Sequence, residues 1–137
     1  MAKPRLVKLN KIGSDAMGFI SVVEKKKLPF TVKRVYWTYD TPTAIIRGHH
    51  AHKKLEQIIV AVHGSIKFTL QDNKGKEFEF LLDHPQKALY IPKGYWRTIS
   101  FSKDAVLLCL ASEKYDAKDY IRNYELFMRA KQKNKKK

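Results

Sequence analysis

Polar and apolar residues alternate along most of this chain. Val7 and Leu9 are set between polar neighbours, and Gly13-Ser14-Asp15 breaks the run. Phe19 to Val23 follows Gly18 and ends at the lysine turn Lys25-Lys26-Lys27. Pro29 then opens a stretch from Thr31 to Tyr39 rich in β-branched and aromatic side chains, which favour a half-buried pleated surface. Asp40-Thr41-Pro42-Thr43 reads as a turn. Further strands are predicted over 45–52, 56–62, 65–71, 76–82, 87–91, 96–101 and 105–111, with Asp72-Asn73-Lys74-Gly75 as a hairpin turn. Short strands at this spacing predict an all-β sandwich or small barrel.

Only the end of the chain reads as helix. Asp116 is a predicted N-cap for Ala117 onward, and Asp119 favours the positive end of the helix. Tyr120, Tyr124, Phe127 and Met128 then form one apolar stripe, suited to packing on the barrel or on a second subunit.

At 137 residues the chain has room for one domain and one core. Residues 1–128 are predicted to form it, and 129–137 to be a frayed basic tail. No apolar run approaches the ~20 residues of a membrane-spanning helix, so no membrane partner is expected. The N-terminal MAKPRLVKLNK lacks the features of a secretory signal. The lone Cys109 lies in an apolar run, where a buried, reduced thiol is expected. These readings favour the cytoplasm. The net charge of +15 invites a nucleic-acid reading. Its lysines, however, cluster in turns and in the last nine residues, which carry one Arg and five Lys, rather than along one helix face. No nucleic-acid partner is expected; a small anionic ligand suits the same charge.

The segment richest in chemistry is Arg47-Gly48-His49-His50-Ala51-His52-Lys53-Lys54-Leu55-Glu56. Alternate side chains of a strand share a face, so His50 and His52 point together, and His49 falls on the other face. If theirs is the barrel interior, a buried imidazole titrating near neutral pH can serve as a proton-transfer base. His63 and His84 sit beside turn signals and are expected to have no catalytic role. His-x-His followed by Glu56 is also half of the cupin metal signature, and Pro92-Lys93-Gly94-Tyr95-Trp96-Arg97 matches the second half, except that Arg97 replaces the last ligand. Guanidinium is a fixed cation and no metal ligand, so no metal is expected. Arg97 shares a strand face with Ile99 and Phe101 and is predicted to point inward, toward His50. The order and separation of the two half-motifs identify a cupin jelly-roll barrel with one C-terminal α-helix.

Three segments carry a closer likeness: Pro29 to Tyr36, Arg47 to Gln57, and Leu110 to Tyr124. In these the chain resembles the dTDP-4-oxo-6-deoxyglucose 3,4-ketoisomerases, small cupin enzymes of deoxyamino-sugar biosynthesis. The resemblance implies a thymidine-diphosphate sugar as substrate, no metal or organic cofactor, and a homodimer with exchanged N-terminal strands. It implies His50 as the base and His52 as a residue that orients the sugar or relays the proton. Tyr36 would offer its hydroxyl near the reacting oxygens, and Arg34, Arg47 and Arg97 would bind substrate. One departure stands out: Met17, in the turn Asp15-Ala16-Met17-Gly18, replaces an Arg or Tyr often found there, and offers no strong donor. Within the family, Arg at position 97 goes with a gluco product and His with a galacto product. Arg97 can only bind, so the C4 proton is expected from elsewhere, on the face served by His50, which favours the gluco product. The competing readings are a cupin 3,5-epimerase, for whose separate His–Asp pair the sequence gives no clear match, a non-catalytic sugar-nucleotide or nucleic-acid binding module, and a metal-dependent cupin oxygenase.

Overall fold

The computed structural model describes residues 2–135. In chain order its strands are β1 (Arg5–Lys8), β2 (Asn10–Ser14), β3 (Gly18–Val22), β4 (Arg34–Thr38), β5 (Ile46–His52), β6 (Gln57–His63), β7 (Ile66–Gln71) and β8 (Glu77–Leu82). They continue with β9 (Lys87–Ile91), β10 (Trp96–Phe101), β11 (Val106–Ala111) and the short β12 (Tyr120–Ile121), before helix α1 (Tyr124–Lys135). Two five-stranded antiparallel sheets, ordered β1-β9-β6-β11-β4 and β12-β5-β10-β7-β8, face each other as the cupin jelly roll. The β2–β3 hairpin forms a separate two-stranded sheet.

Alternation in the sequence explains which side chains meet. Phe68 and Leu70 of β7, Leu89 and Ile91 of β9, and Leu107 and Cys109 of β11 fill the space between the sheets. A second cluster covers the outer face of the first sheet, where Ile58, Val60, Ala88 and Tyr90 pack under Leu9, Val23, Leu28 and Phe30. The chain from Val23 to Phe30 thus folds back over β6, which is why β6 is buried on both faces for most of its length. Cys109 is fully buried and reduced, as its apolar run predicts.

The C-terminal segment departs from expectation. Asp116 does accept a hydrogen bond from the Lys118 amide at 3.0 Å, but it caps only a single 3-10 turn, Ala117–Asp119. Tyr120 and Ile121 then pair in register with His52 and Ala51 as a strand. The cause is tertiary: the Asp119 carboxylate is taken by the amides of Lys54 and Leu55, at 2.7 and 3.2 Å, which fixes the backbone away from a helical path. The helix starts at Tyr124, and the Asn123 side chain accepts from the Leu126 amide at 3.0 Å at its N-terminus. Of the expected stripe, Tyr120 is therefore not helical, whereas Phe127 is buried and stacks on Trp96. Helix α1 runs into the segment predicted as a tail as far as Lys135; the last two lysines lie outside the described residues.

Candidate active site

The expected alternation of β5 is interrupted by a bulge. Register between β10 and β5 passes from Arg97↔His50 to Thr98↔Gly48, leaving His49 unpaired with a φ of 58°. Gly48 has a φ of 93°, and a Cβ there would lie 2.7 Å from the Arg97 carbonyl oxygen, so glycine is required on both counts. The bulge turns Arg47, in the opposite phase to His50 in a regular strand, onto the rim of the same cavity. His49 stays outside as predicted, with Nε2 donating to the Ile46 carbonyl at 3.0 Å. His63 and His84 are also exposed and away from this cavity, and His84 Nδ1 accepts from the Gln86 amide in a turn.

That cavity, of about 230 Å³, opens between the two sheets. Arg34 and Tyr36 reach it from β4, Arg47, His50 and His52 from β5, and Arg97 from β10; all six sequence candidates meet there. Ile59, Ile99, Phe101 and Leu107 supply an apolar wall. Arg97 points inward with Ile99 and Phe101, as predicted, and is only 2% exposed. Its Nη2 donates to the Tyr95 carbonyl at 3.2 Å, its Nη1 to Gln57 Oε1, and its Nε has no protein partner.

Hydrogen bonding fixes the tautomer of His50. Nδ1 lies 3.0 Å from the Gly48 carbonyl, an acceptor only, so Nδ1 carries the hydrogen and Nε2 the lone pair. Burial, and then the Arg97 cation, pull this imidazole down to about 4, below the near-neutral value the sequence suggests. His52 is also driven well below its ordinary value by burial and Arg97, and both rings are neutral at pH 7. The rings meet edge to face, 4.8 Å between centroids, and Tyr120 packs on both. Burial raises the Tyr36 phenol, which stays protonated.

Three features escape a reading of the sequence. Gln57 enters the cavity, donating through Nε2 to Tyr36 Oη at 2.8 Å and to Cys109 Sγ at 3.3 Å. Asp119 places Oδ2 3.3 Å from His52 Nδ1, a proximity with no signal in the sequence, though Nδ1 makes no hydrogen bond. Arg122 stacks on Tyr120, 4.1 Å from guanidinium carbon to ring centroid, and adds charge beside the site. Gln57 directly follows Glu56 of the half-motif, but no spacing rule singles it out. Glu56 itself turns to the far side of β6, where Oε1 accepts from Tyr90 Oη at 2.5 Å. Among the described residues, no three His, Cys, Asp or Glu side chains converge in a way that would hold a metal.

The arrangement joins a neutral base, hydroxyl and guanidinium donors and a cationic rim, which suits proton transfer next to a carbonyl on an anionic substrate. Comparison with known proteins agrees. The family described as FdtA: WxcM-like, C-terminal matches residues 2–132. A TDP-4-oxo-6-deoxy-alpha-D-glucose-3,4-oxoisomerase of Aneurinibacillus thermoaerophilus is 40% identical over 124 residues, covering 90% of this chain and 88% of that protein. The sugar 3,4-ketoisomerase QdtA of Thermoanaerobacterium thermosaccharolyticum, solved with TDP, superposes with a TM-score of 0.88 at 38% identity over 96% of each chain. The TDP-quinovose 3,4-ketoisomerase WlaRB of Campylobacter jejuni gives a TM-score of 0.87 at 40% identity, covering 94% of this chain and 99% of that one.

Proposed function

Since this chain belongs to the FdtA family (WxcM-like, C-terminal), we propose that it is a 3,4-ketoisomerase that converts TDP-4-oxo-6-deoxyglucose into TDP-3-oxo-6-deoxyglucose. Isomerase activity on a TDP-sugar is common to its relatives. The observation that carries the mechanism is the His50 tautomer, with a free Nε2 lone pair in a cavity that Arg97 and Tyr36 also line.

His50 takes the C3 proton, and the electrons move onto the C4 oxygen as an enediolate. Arg97 and Tyr36 donate hydrogen bonds to the developing negative charge. The C4 oxygen takes up a proton, the 3-hydroxyl gives one up, and C4 receives one; the net change moves two hydrogens, from C3 and its oxygen to C4 and its oxygen. His52, beside Asp119, orients the sugar or passes the hydroxyl proton. Arg34 and Arg47 bind the sugar or diphosphate, and no metal or organic cofactor takes part. The basic rim attracts the diphosphate, whose charge raises His50 toward the working pH once substrate is bound.

Product configuration follows from Arg97. In the gluco sugar the hydrogens at C3 and C4 lie on opposite ring faces, and in the galacto sugar on the same face. Arg97 is the register partner of His50; an imidazole there could protonate C4 on the face from which His50 took the C3 proton. Guanidinium cannot. A gluco product requires the C4 proton to arrive from the face opposite His50, not the face it serves as the sequence reading has it, and the lack of an acid at position 97 favours that outcome. In this reading the enzyme is a homodimer with exchanged N-terminal strands, which is supported by a β2–β3 hairpin that among the described residues pairs with no other strand and exposes Ile12, Met17 and Ile20, whereas β1 joins its own sheet. We place its work in the cytoplasm, on precursors of deoxyamino sugars.

Incubation with TDP-4-oxo-6-deoxyglucose and proton NMR of the sugar tests this reading. Large H4 couplings after reduction or transamination support the gluco product; small ones, from an axial hydroxyl, reject it.

A further inference from the structure

Among the described residues, Gln57 is the one side chain hydrogen-bonded to both Arg97 and Tyr36, and it is 3% exposed. Its orientation is not free. Arg97 has donors only, so the amide oxygen of Gln57 must face it, and Oε1 accepts from Arg97 Nη1. The amide nitrogen is thereby turned to the other side, where its two hydrogens go to Tyr36 Oη at 2.8 Å and Cys109 Sγ at 3.3 Å. Tyr36 Oη thus accepts from Gln57, and its own hydrogen is left to point elsewhere. The Cys109 sulfur, a weak acceptor, lies within hydrogen-bonding reach of it, and an oxygen placed in the cavity competes for it.

We propose that Gln57 is a positioning residue that sets the direction of hydrogen bonding through the site, so that Tyr36 is compelled to donate into the cavity alongside Arg97. The inference rests on the ketoisomerase reading for its substrate, but its geometry does not. A fixed cation at position 97 orders the amide, the amide orders the phenol, and the phenol meets the substrate oxygen already aimed. Such donors contribute most when no reorientation is needed as charge develops. The same logic explains why Gln rather than Glu follows Glu56: a carboxylate at position 57 would accept from Arg97 and from Tyr36 together, and would turn the phenolic hydrogen away from substrate.

The test is Gln57→Glu, nearly the same shape with the polarity reversed at one atom. With TDP-4-oxo-6-deoxyglucose, kcat should fall roughly 100-fold, the loss typical of one oxyanion donor, while the Kd for TDP stays within about two-fold of the native enzyme. Tyr36→Phe should be costly in the native background and cost less than about three-fold more in Gln57→Glu, since the donor is already lost there. Should Gln57→Glu not fold, Gln57→Met takes its place in the cycle, and the Tyr36→Phe penalty should shrink by about five-fold or more. An unaltered Tyr36→Phe penalty in these backgrounds overturns the proposal. A readout without substrate keeps the two readings apart: in protein labelled at tyrosine Cζ, the Tyr36 carbon resonance, assigned with Tyr36→Phe, should move downfield in Gln57→Glu as the phenol donates to carboxylate. An unmoved resonance overturns the role of Gln57 whatever the substrate is, whereas native protein that fails to isomerise the sugar overturns only the ketoisomerase reading.

Discussion

The carboxylate of Asp119 lies 3.3 Å from the imidazole of His52, in a place where both side chains are almost wholly removed from water. The same carboxylate accepts the amides of Lys54 and Leu55. One acidic residue therefore ties the chain after β11 to the segment just after β5, beside the second histidine of the site. Asp119→Ala leaves two amides unpaired beside a buried ring, at a cost of about 1–3 kcal/mol for each unsatisfied group. We expect a lower Tm together with a loss of kcat, whereas Asp119→Asn, which keeps an acceptor oxygen, should recover much of the stability and less of the activity. Thermal unfolding and turnover, measured side by side, check the difference.

His50→Asn should remove the base and spare the fold. The loss in kcat is expected at ~100- to 10,000-fold, as for other general bases, with TDP binding retained. Activity within a few-fold of native would exclude His50 from the role. His52→Asn should also impair turnover, and the two changes should not add, since the rings are in contact.

The pH dependence has a definite direction. Folding lowers His50 from 6.5 to about 4, through burial first and Arg97 second. Below 6.5 the unfolded chain therefore takes up a proton that the folded protein refuses, and stability from this group declines as pH falls from 6.5 toward 4. The acid limb of kcat/KM, which reports the free enzyme, should lie nearer 4 than 6.5. The limb of kcat should lie higher, because bound diphosphate favours the imidazolium. Arg97→Gln should move the kcat/KM limb upward by removing the nearby cation. A limb at or above 6.5 in the native enzyme would contradict the burial of His50.

Gly48→Ala tests the bulge. The substitution places a methyl group 2.7 Å from the Arg97 carbonyl oxygen at a φ of 93°. Destabilisation of more than ~1 kcal/mol is expected, since alanine at positive φ loses more than its lower unfolded-state entropy returns. Activity should fall further than stability explains, because the bulge also aims Arg47 and sets the register of His50 against Arg97. Denaturant unfolding and kcat/KM together separate the two effects.

Much of this was legible in the residues alone. Period-two alternation is a local property, and it placed the strands from 45 to 111 close to where they lie, because each buries one face against the same core. It also placed His50 with His52, and Arg97 with Ile99 and Phe101, since side chains two apart in a strand cannot avoid sharing a face. The two half-motifs then identified the cupin barrel. The resemblance, rather than the alternation, singled out Tyr36, Arg34 and Arg47 for the site.

What depended on distant partners could not be read in advance. Capping and apolar spacing made a helix from Ala117 the better local choice, yet two amides just beyond β5 claim Asp119 and leave Tyr120 as a strand residue. Arg47 joins the cavity only because Gly48 and His49 insert a bulge, and a bulge reverses the faces that alternation assigns upstream of it. The protonation of His50 depends on how deeply the barrel buries it and on a cation from another strand, neither of which is a property of its neighbours in the chain. Local spacing decided which side chains travel together. Contacts between strands far apart in the sequence decided what those side chains meet, and so which of them hold a proton and which way each hydrogen bond runs.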